Sequence, residues 1–186
     1  MIRIPPLRRG ISLLKPLRAI AGCAAAVAIV VLGASAASAA GPNTSFAFNA
    51  RDITGGSGAV ALTGGGAFGS STHPAHSGGG FSCTSAVSGG PLAGCQTGEG
   101  VRWDSDSLLT GTMFKCLANE ALKPVNTSDD TVVLHADFYR AGDGTDESFS
   151  ANMFVSTQDI DHDVPGVQNV WVQGVGCTNA PVHINP

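Results

Sequence analysis

Two groups of acidic residues are the clearest candidates for chemistry in this chain of 186 residues. One is the run Asp159-Ile160-Asp161-His162-Asp163, and the other consists of Asp143, Asp146 and Glu147. Calcium prefers several hard oxygen donors on a flexible loop, so both groups are candidate sites for weak calcium binding. The competing interpretation, which we favour, is that open water solvates these carboxylates and relieves their mutual repulsion.

The first acidic run begins like the calcium-binding loop of an EF-hand but does not continue like one. Val164 stands where that loop needs glycine, and Val170 stands where it needs a glutamate that binds calcium through both oxygens. The sequence therefore predicts no EF-hand. It also predicts no bound cofactor other than this possible calcium.

Carboxylates also support the hypothesis of a secreted hydrolase. The candidate acids are Glu99, Asp104, Asp137 and the 159–163 run. A glycosidase needs two carboxylates at a defined separation, which the sequence does not fix, and a carbohydrate cleft normally has more aromatic surface than Trp103 and Trp171 provide. Ser57 lies in Gly55-Gly56-Ser57-Gly58-Ala59, which lacks the last glycine of a nucleophile elbow. We therefore predict no catalytic residues and treat the hydrolase as the alternative.

The first 40 residues have the pattern of an export signal. Residues 1–18 are basic, and residues 19–40 contain no charged side chain. Ala37-Ser38-Ala39 supplies the small residues that a signal peptidase requires, so we expect the mature chain to begin at Ala40 or Gly41. The prediction is a cleaved signal peptide over 1–40 and one secreted domain over 41–186, located outside the cell or in the cell envelope.

Three alternatives to ordinary secretion remain for this segment. They are a retained membrane anchor, twin-arginine export through Arg8-Arg9, and lipidation at Cys23, which precedes the apolar run instead of ending it. On the favoured interpretation the chain contacts a membrane only through the signal segment during export. The long alanine-rich signal is typical of exported bacterial proteins.

The net charge of the mature chain argues against a nucleic-acid partner. The chain carries −4 overall, but removal of 1–40 takes away five basic residues and no acid, leaving five basic and fourteen acidic residues. The resulting charge of −9 repels phosphate backbones. The sequence identifies no other partner.

Four cysteines remain after the signal: Cys83, Cys95, Cys116 and Cys177. An even number in an exported chain predicts disulfides, and four cysteines allow three pairings. We favour Cys83–Cys95, which closes a local loop, with Cys116–Cys177, which ties the end of the chain to its middle. A zinc site is disfavoured because no closely spaced pair of ligands is present.

Period-two alternation predicts the strands that must position these residues. Val132, Leu134, Ala136 and Phe138 share one face of the strand Thr131–Tyr139. The segment Phe149–Ser156 alternates in the same way, so the two strands should form an antiparallel hairpin. A third strand is expected over 167–175, apolar on both faces, and a short helix over 117–123.

Glycine is unevenly distributed along the chain, with 15 of 25 glycines between residues 55 and 100. We predict glycine-rich loops and short strands over 55–100 and the main sheet over 101–186. The expected fold is all-β: a small antiparallel sandwich or barrel, stapled by disulfides, with at most one short helix. The predicted function is a soluble, non-catalytic binding or structural role.

Overall fold

The computed structural model describes residues 44–69 and 75–185. The predicted signal peptide and the predicted start of the mature chain lie outside these residues. The described part of the chain contains eleven strands and no helix, and so no helix that could cross a membrane. The strands are β1 Thr44–Gly55, β2 Ala59–Phe68, β3 Ala75–Ser85, β4 Arg102–Leu108, β5 Gly111–Phe114, β6 Lys123–Asn126, β7 Thr131–Tyr139, β8 Phe149–Ser156, β9 Val170–Val172, β10 Gly176–Thr178 and β11 Val182–Asn185.

Eight of the strands close into an antiparallel barrel, which confirms the predicted all-β fold. Their order is β1-β2-β3-β4-β7-β8-β9-β10, and β10 returns to pair with β1 at Thr54 and Gly55. The strand β11 pairs with the other part of β1, where Phe46 faces Ile184. β5 and β6 form a separate two-stranded hairpin.

The strands β7 and β8 have the predicted bounds and form the predicted hairpin. Val132, Leu134, Ala136 and Phe138 are fully buried in the main hydrophobic core, which fills the barrel. Apolar side chains at alternate positions on one face are what places this face inside the barrel.

The glycine-rich region builds longer strands than predicted, because many of its glycines lie inside β2 and β3 rather than in loops. A Cβ atom on Gly79 would collide with the carbonyl oxygen of Thr63, so glycine lets the two strands approach closely there. The same carbonyl accepts a 3.0 Å hydrogen bond from the indole nitrogen of Trp103, which is buried in the barrel.

Both favoured disulfides, Cys83–Cys95 and Cys116–Cys177, are formed. The first closes the loop after β3, whose Val87 and Leu92 belong to the main core and cover one end of the barrel. Two disulfides in one small domain indicate an oxidising environment, such as the extracellular space or the cell envelope.

The hairpin β5–β6 covers the outer face of β7, β8 and β9. A second core lies between them, in which Phe114 contacts Phe154 and Trp171 edge to face. Cys116 and Cys177 join this core and link the hairpin to β10. This outer layer explains why β9 is apolar on both faces, although β9 is shorter than the predicted strand over 167–175.

The helix predicted over 117–123 is wrong. This segment forms turns, and Lys123 and Pro124 begin the strand β6. The carboxylate of Glu120 accepts hydrogen bonds from the backbone nitrogens of Cys116 (3.0 Å) and Leu117 (2.8 Å). The helical composition is overridden because the disulfide at Cys116 and these bonds hold the chain in a tight turn.

Candidate ligand-binding groove

An apolar groove lies on the outer side of the barrel, with a volume of about 510 Å³. One side of the groove is the hairpin β5–β6 and the turns after β5, and the other side is formed by three loops at one end of the barrel. Binding sites for small molecules are typically clefts of roughly 300–1,000 Å³ with mostly apolar walls and a few polar groups. The groove has that size and composition.

The floor of the groove contains Trp171, which is held from three directions. Its indole nitrogen donates a 2.9 Å hydrogen bond to the carbonyl oxygen of Lys115. Its ring stacks on Phe154 with centroids 5.7 Å apart and meets the edge of Phe114 at 6.2 Å. Cys116 lines the groove beside it. The floor is therefore rigid, but Trp171 and Cys116 are each only 2% exposed, so most of the apolar surface of the groove comes from the exposed side chains beside them.

The lip of the groove consists of Met113, Leu117 and Leu122, three apolar side chains that are exposed to solvent. Leu122 is 59% exposed. The turn that carries Leu117 and Leu122 is fixed by Glu120 and by a 3.0 Å backbone bond from Ala118 to Gly55. Exposed apolar side chains grouped around a concavity are typical of a binding surface.

The opposite wall is formed by three loops that Ser57 joins together. Its hydroxyl lies 2.6 Å from the carbonyl oxygen of Gly89 and 2.8 Å from that of Gly174. Gly174 has a φ of 81°, and a Cβ atom on it would lie 2.8 Å from the Cα atom of Gly90. Only glycine fits this close approach without strain, so the wall depends on the glycines.

Polar side chains meet at one edge of the groove. The side-chain nitrogen of Asn152 donates to the Thr112 hydroxyl at 3.1 Å, and its backbone nitrogen donates to the side-chain oxygen of Gln173 at 3.1 Å. His135 Nδ1 lies 2.9 Å from the side-chain oxygen of Asn152. Thr112 and Gln173 both line the groove. This network orients the polar groups that a ligand would meet.

The acidic run on which the calcium hypothesis rests is organised around a lysine. Lys123 forms ion pairs with Asp161 and, at 2.8 Å, with Asp163, and its ammonium lies 3.6 Å from Glu120. The hydrogen bonds that Lys123 donates to Asp161 and Asp163 raise the pKa of Lys123. The bond between Lys123 and Asp163 also lowers the pKa of Asp163. The ammonium group occupies the place that a cation would take beside these two carboxylates.

The remaining predicted calcium ligands are not brought together. Asp159 accepts a 2.9 Å bond from the backbone nitrogen of Gln168, which lowers its pKa. Asp143 contacts Ser148 and lies 3.5 Å from Arg140. The group of Asp143, Asp146 and Glu147 lies at the opposite end of the β7–β8 hairpin from the 159–163 run. Within residues 44–69 and 75–185, no group of three acidic, histidine or cysteine side chains could hold a metal ion.

The other candidate hydrolase acids each have a structural partner. Glu99 accepts a 2.8 Å bond from the backbone nitrogen of Gln96. Asp104 pairs with Arg102 and accepts a 3.2 Å bond from Tyr139, whose pKa is raised by burial and by this bond. Asp137 accepts a 2.7 Å bond from Ser150. None of these acids is among the described residues that line the groove.

The groove itself was not predicted from the sequence. Its residues come from five separated segments of the chain, so no spacing pattern joins them. The one available signal in the sequence is the group of apolar residues near Cys116, namely Met113, Leu117 and Leu122. The predicted helix over 117–123 concealed this signal, because leucines are expected on the buried face of a helix. No family model matches the chain, and no curated protein or solved structure is significantly similar to it.

Proposed function

We propose that this protein is an exported, soluble, non-catalytic binding domain of bacterial type, and that the groove beside Trp171 takes up a small apolar ligand. The observation that carries the proposal is a preformed concavity with an aromatic floor and an exposed apolar lip. Burial of that lip by a ligand would remove apolar surface from water, which is the main driving force of such binding.

The construction of the groove supports binding without a large rearrangement. Cys116–Cys177 and the bond from Trp171 to Lys115 fix the floor to the lip, and Ser57 fixes the opposite wall. A site that is rigid before binding loses little conformational entropy when its ligand arrives.

A non-catalytic role is supported by the placement of the acids. A hydrolase needs an acid or base with a shifted pKa inside a concave site. Asp159 and Asp163 have lowered pKa values and lie outside the groove, where Lys123 and Gln168 engage them. A lowered pKa suits an ion-paired carboxylate and does not suit a general acid.

The export part of the proposal rests on the signal pattern of residues 1–40 together with the two disulfides. The test is the intact mass of protein recovered from the culture medium or the periplasm, measured with and without reductant. We expect a chain that begins at Ala40 or Gly41 and contains two bridges. An intact leader or four free thiols would contradict export through a cleaved signal.

Binding in the groove is tested with a neutral apolar dye, N-phenyl-1-naphthylamine, whose fluorescence increases in an apolar site. We expect saturable binding of one dye per chain. Leu122→Asp places a charge on the lip and should weaken binding at least tenfold. Val101→Asp is the matched control, since Val101 is also exposed (54%) and does not line the groove.

Two results would overturn this proposal. One is the absence of saturable dye binding to the native protein. The other is an equal loss of binding in Leu122→Asp and Val101→Asp, because a non-specific apolar contact would respond in this way. Thermal melting of both variants separates a change in the groove from a loss of the fold.

A further inference from the structure

We infer that the natural ligand of the groove is an amphipathic carboxylate, with an apolar chain over Trp171 and an anionic head at Lys115. This inference rests on the proposed function and adds the chemical class of the ligand. It follows from the polar groups at the edge of the groove, all of which are available as hydrogen-bond donors.

Lys115 supplies the charge. Among the described residues that line the groove, Lys115 alone has an ionised side chain. Its ammonium donates one hydrogen bond, 2.6 Å long, to the carbonyl oxygen of Ala118. An ammonium has three protons, so two remain for a ligand, and the bond to Ala118 keeps the charge on the lip.

Thr112 and Gln173 supply uncharged donors. The Thr112 hydroxyl already accepts a bond from Asn152, so its own proton is directed to another acceptor. The side-chain oxygen of Gln173 also accepts from Asn152, which leaves the amide NH2 group of Gln173 as the donor toward the groove. Both residues therefore favour an acceptor on the ligand.

The acceptors nearby are already engaged. Glu120 lies in the same turn as Leu117, but its carboxylate binds the backbone nitrogens of Cys116 and Leu117 and faces Lys123. The Trp171 indole proton is used by the Lys115 carbonyl. A ligand head that only accepts hydrogen bonds and carries negative charge matches this arrangement, and a carboxylate has both properties.

The experiment compares three ligands with the same ten-carbon chain and different heads: decanoate, decanol and decyltrimethylammonium. Each displaces N-phenyl-1-naphthylamine from the native protein, at concentrations below those that form micelles. We expect decanoate to bind about tenfold more tightly than decanol, as a charge-assisted hydrogen bond implies, and the cation to bind weakest. Within a carboxylate series, each added methylene that becomes buried should tighten binding about fourfold.

Lys115→Met tests the position of the head, because methionine keeps the apolar stem and removes the charge. We expect this variant to lose the preference for decanoate over decanol while its affinity for decanol is unchanged. Arg51→Met is the matched control, since it removes one positive charge from an exposed residue that does not line the groove. It should keep the tenfold preference.

The outcomes separate the two proposals. Equal affinity for decanoate and decanol, or a preference for decanoate that survives in Lys115→Met, would overturn the ligand class and leave the groove as a binding site. A protein that binds neither the dye nor any of the three ligands would overturn the proposed function, and the ligand class with it.

Discussion

The indole nitrogen of Trp171 and the backbone oxygen of Lys115 are joined by a hydrogen bond of 2.9 Å. This bond links the barrel strand β9 to the lip of the groove, one residue away from the Cys116–Cys177 bridge. A hydrogen bond and a neighbouring disulfide therefore both connect the barrel to the segment that carries the lip. The lysine that presents its charge on the lip is held in place through its own backbone.

The two disulfides should affect stability and binding differently. By loop-closure entropy, Cys116→Ser/Cys177→Ser should lose about 4 kcal/mol of unfolding free energy and Cys83→Ser/Cys95→Ser about 3 kcal/mol, since the bridged cysteines are 61 and 12 residues apart. Urea unfolding measures both values. Below the unfolding transition, the first variant should lose more dye affinity than the second, because Cys116 lines the groove itself whereas Cys83–Cys95 closes the loop that carries Gly90 and Pro91. Dye affinity equal to wild type in the first variant would show that its bridge does not shape the groove.

Gly174→Ala should disturb the wall of the groove. The positive φ alone is expected to lower the unfolding free energy by on the order of 1 kcal/mol, and the clash with Gly90 should add to this loss. Gly142→Ala is the control for backbone strain, because Gly142 has a φ of 97° with no atom within 4 Å of the added Cβ. We expect weaker dye binding in Gly174→Ala only. Equal destabilisation of the two variants would mean that the contact with Gly90 is unimportant.

Lys123→Met should destabilise the protein through a buried carboxylate. The side chain of Asp161 is fully buried, and without Lys123 its charge has no opposite charge beside it. Removing that charge as well, in Lys123→Met/Asp161→Asn, should recover part of the stability. Thermal midpoints are expected to fall in the order wild type, double variant, single variant. A double variant that melts below the single variant would contradict the importance of this pair.

Stability should decrease in acid, partly because of Asp159. In the folded protein the pKa of Asp159 is lowered from its usual value of 3.8. The ionised carboxylate therefore contributes its full stabilisation at pH values above 3.8. The contribution is lost as pH falls through the folded pKa. Urea unfolding at pH 7 should find Asp159→Asn less stable than wild type, and the difference should begin to shrink as pH falls below 3.8. A difference that persists unchanged at pH 3 would contradict this linkage.

Calcium binding stays a prediction of the sequence, and the position of Lys123 gives it a definite expectation. The ammonium already pairs with both Asp161 and Asp163, so a calcium ion would have to displace it. We expect millimolar calcium to leave the thermal midpoint of the wild-type protein unchanged. A midpoint that rises with calcium and returns with EDTA would establish a calcium site despite the ion pairs.

The strands β7 and β8 could be predicted to the residue because apolar residues recur at every second position of their sequences. Their burial does not alternate, since the second core also covers Val133 and Phe154. The sequence allowed three disulfide pairings, and the favoured one, with Cys83–Cys95 closing a local loop, is the one formed. The two apolar faces of β9 were visible in the run Val170-Trp171-Val172. The glycine-rich strands were underestimated because their pairing depends on close backbone approach, as at Gly79, and not on side chains. The helical composition of residues 117–123 gave no information about the backbone hydrogen bonds that the Glu120 carboxylate accepts.

The candidate groove could not be predicted, since it depends on tertiary placement. Trp171 bonds to Lys115 only because β9 lies under the hairpin β5–β6. Gly174 approaches Gly90 only in the closed barrel. The acidic run was visible in the sequence, but its partner Lys123 is 38 residues from Asp161. This ion pair forms only in the folded chain, and the groove is built from ordinary apolar residues that carry no conspicuous chemistry.

The most direct test of the groove as the binding site is an NMR titration of the ¹⁵N-labelled protein with N-phenyl-1-naphthylamine. We predict amide shift changes concentrated at residues 112–118 and 171–174, together with the indole proton of Trp171. The indole proton of Trp103, inside the barrel, should not move. Largest changes at Trp103 or elsewhere in the barrel, or no changes at saturating dye, would contradict binding in the groove.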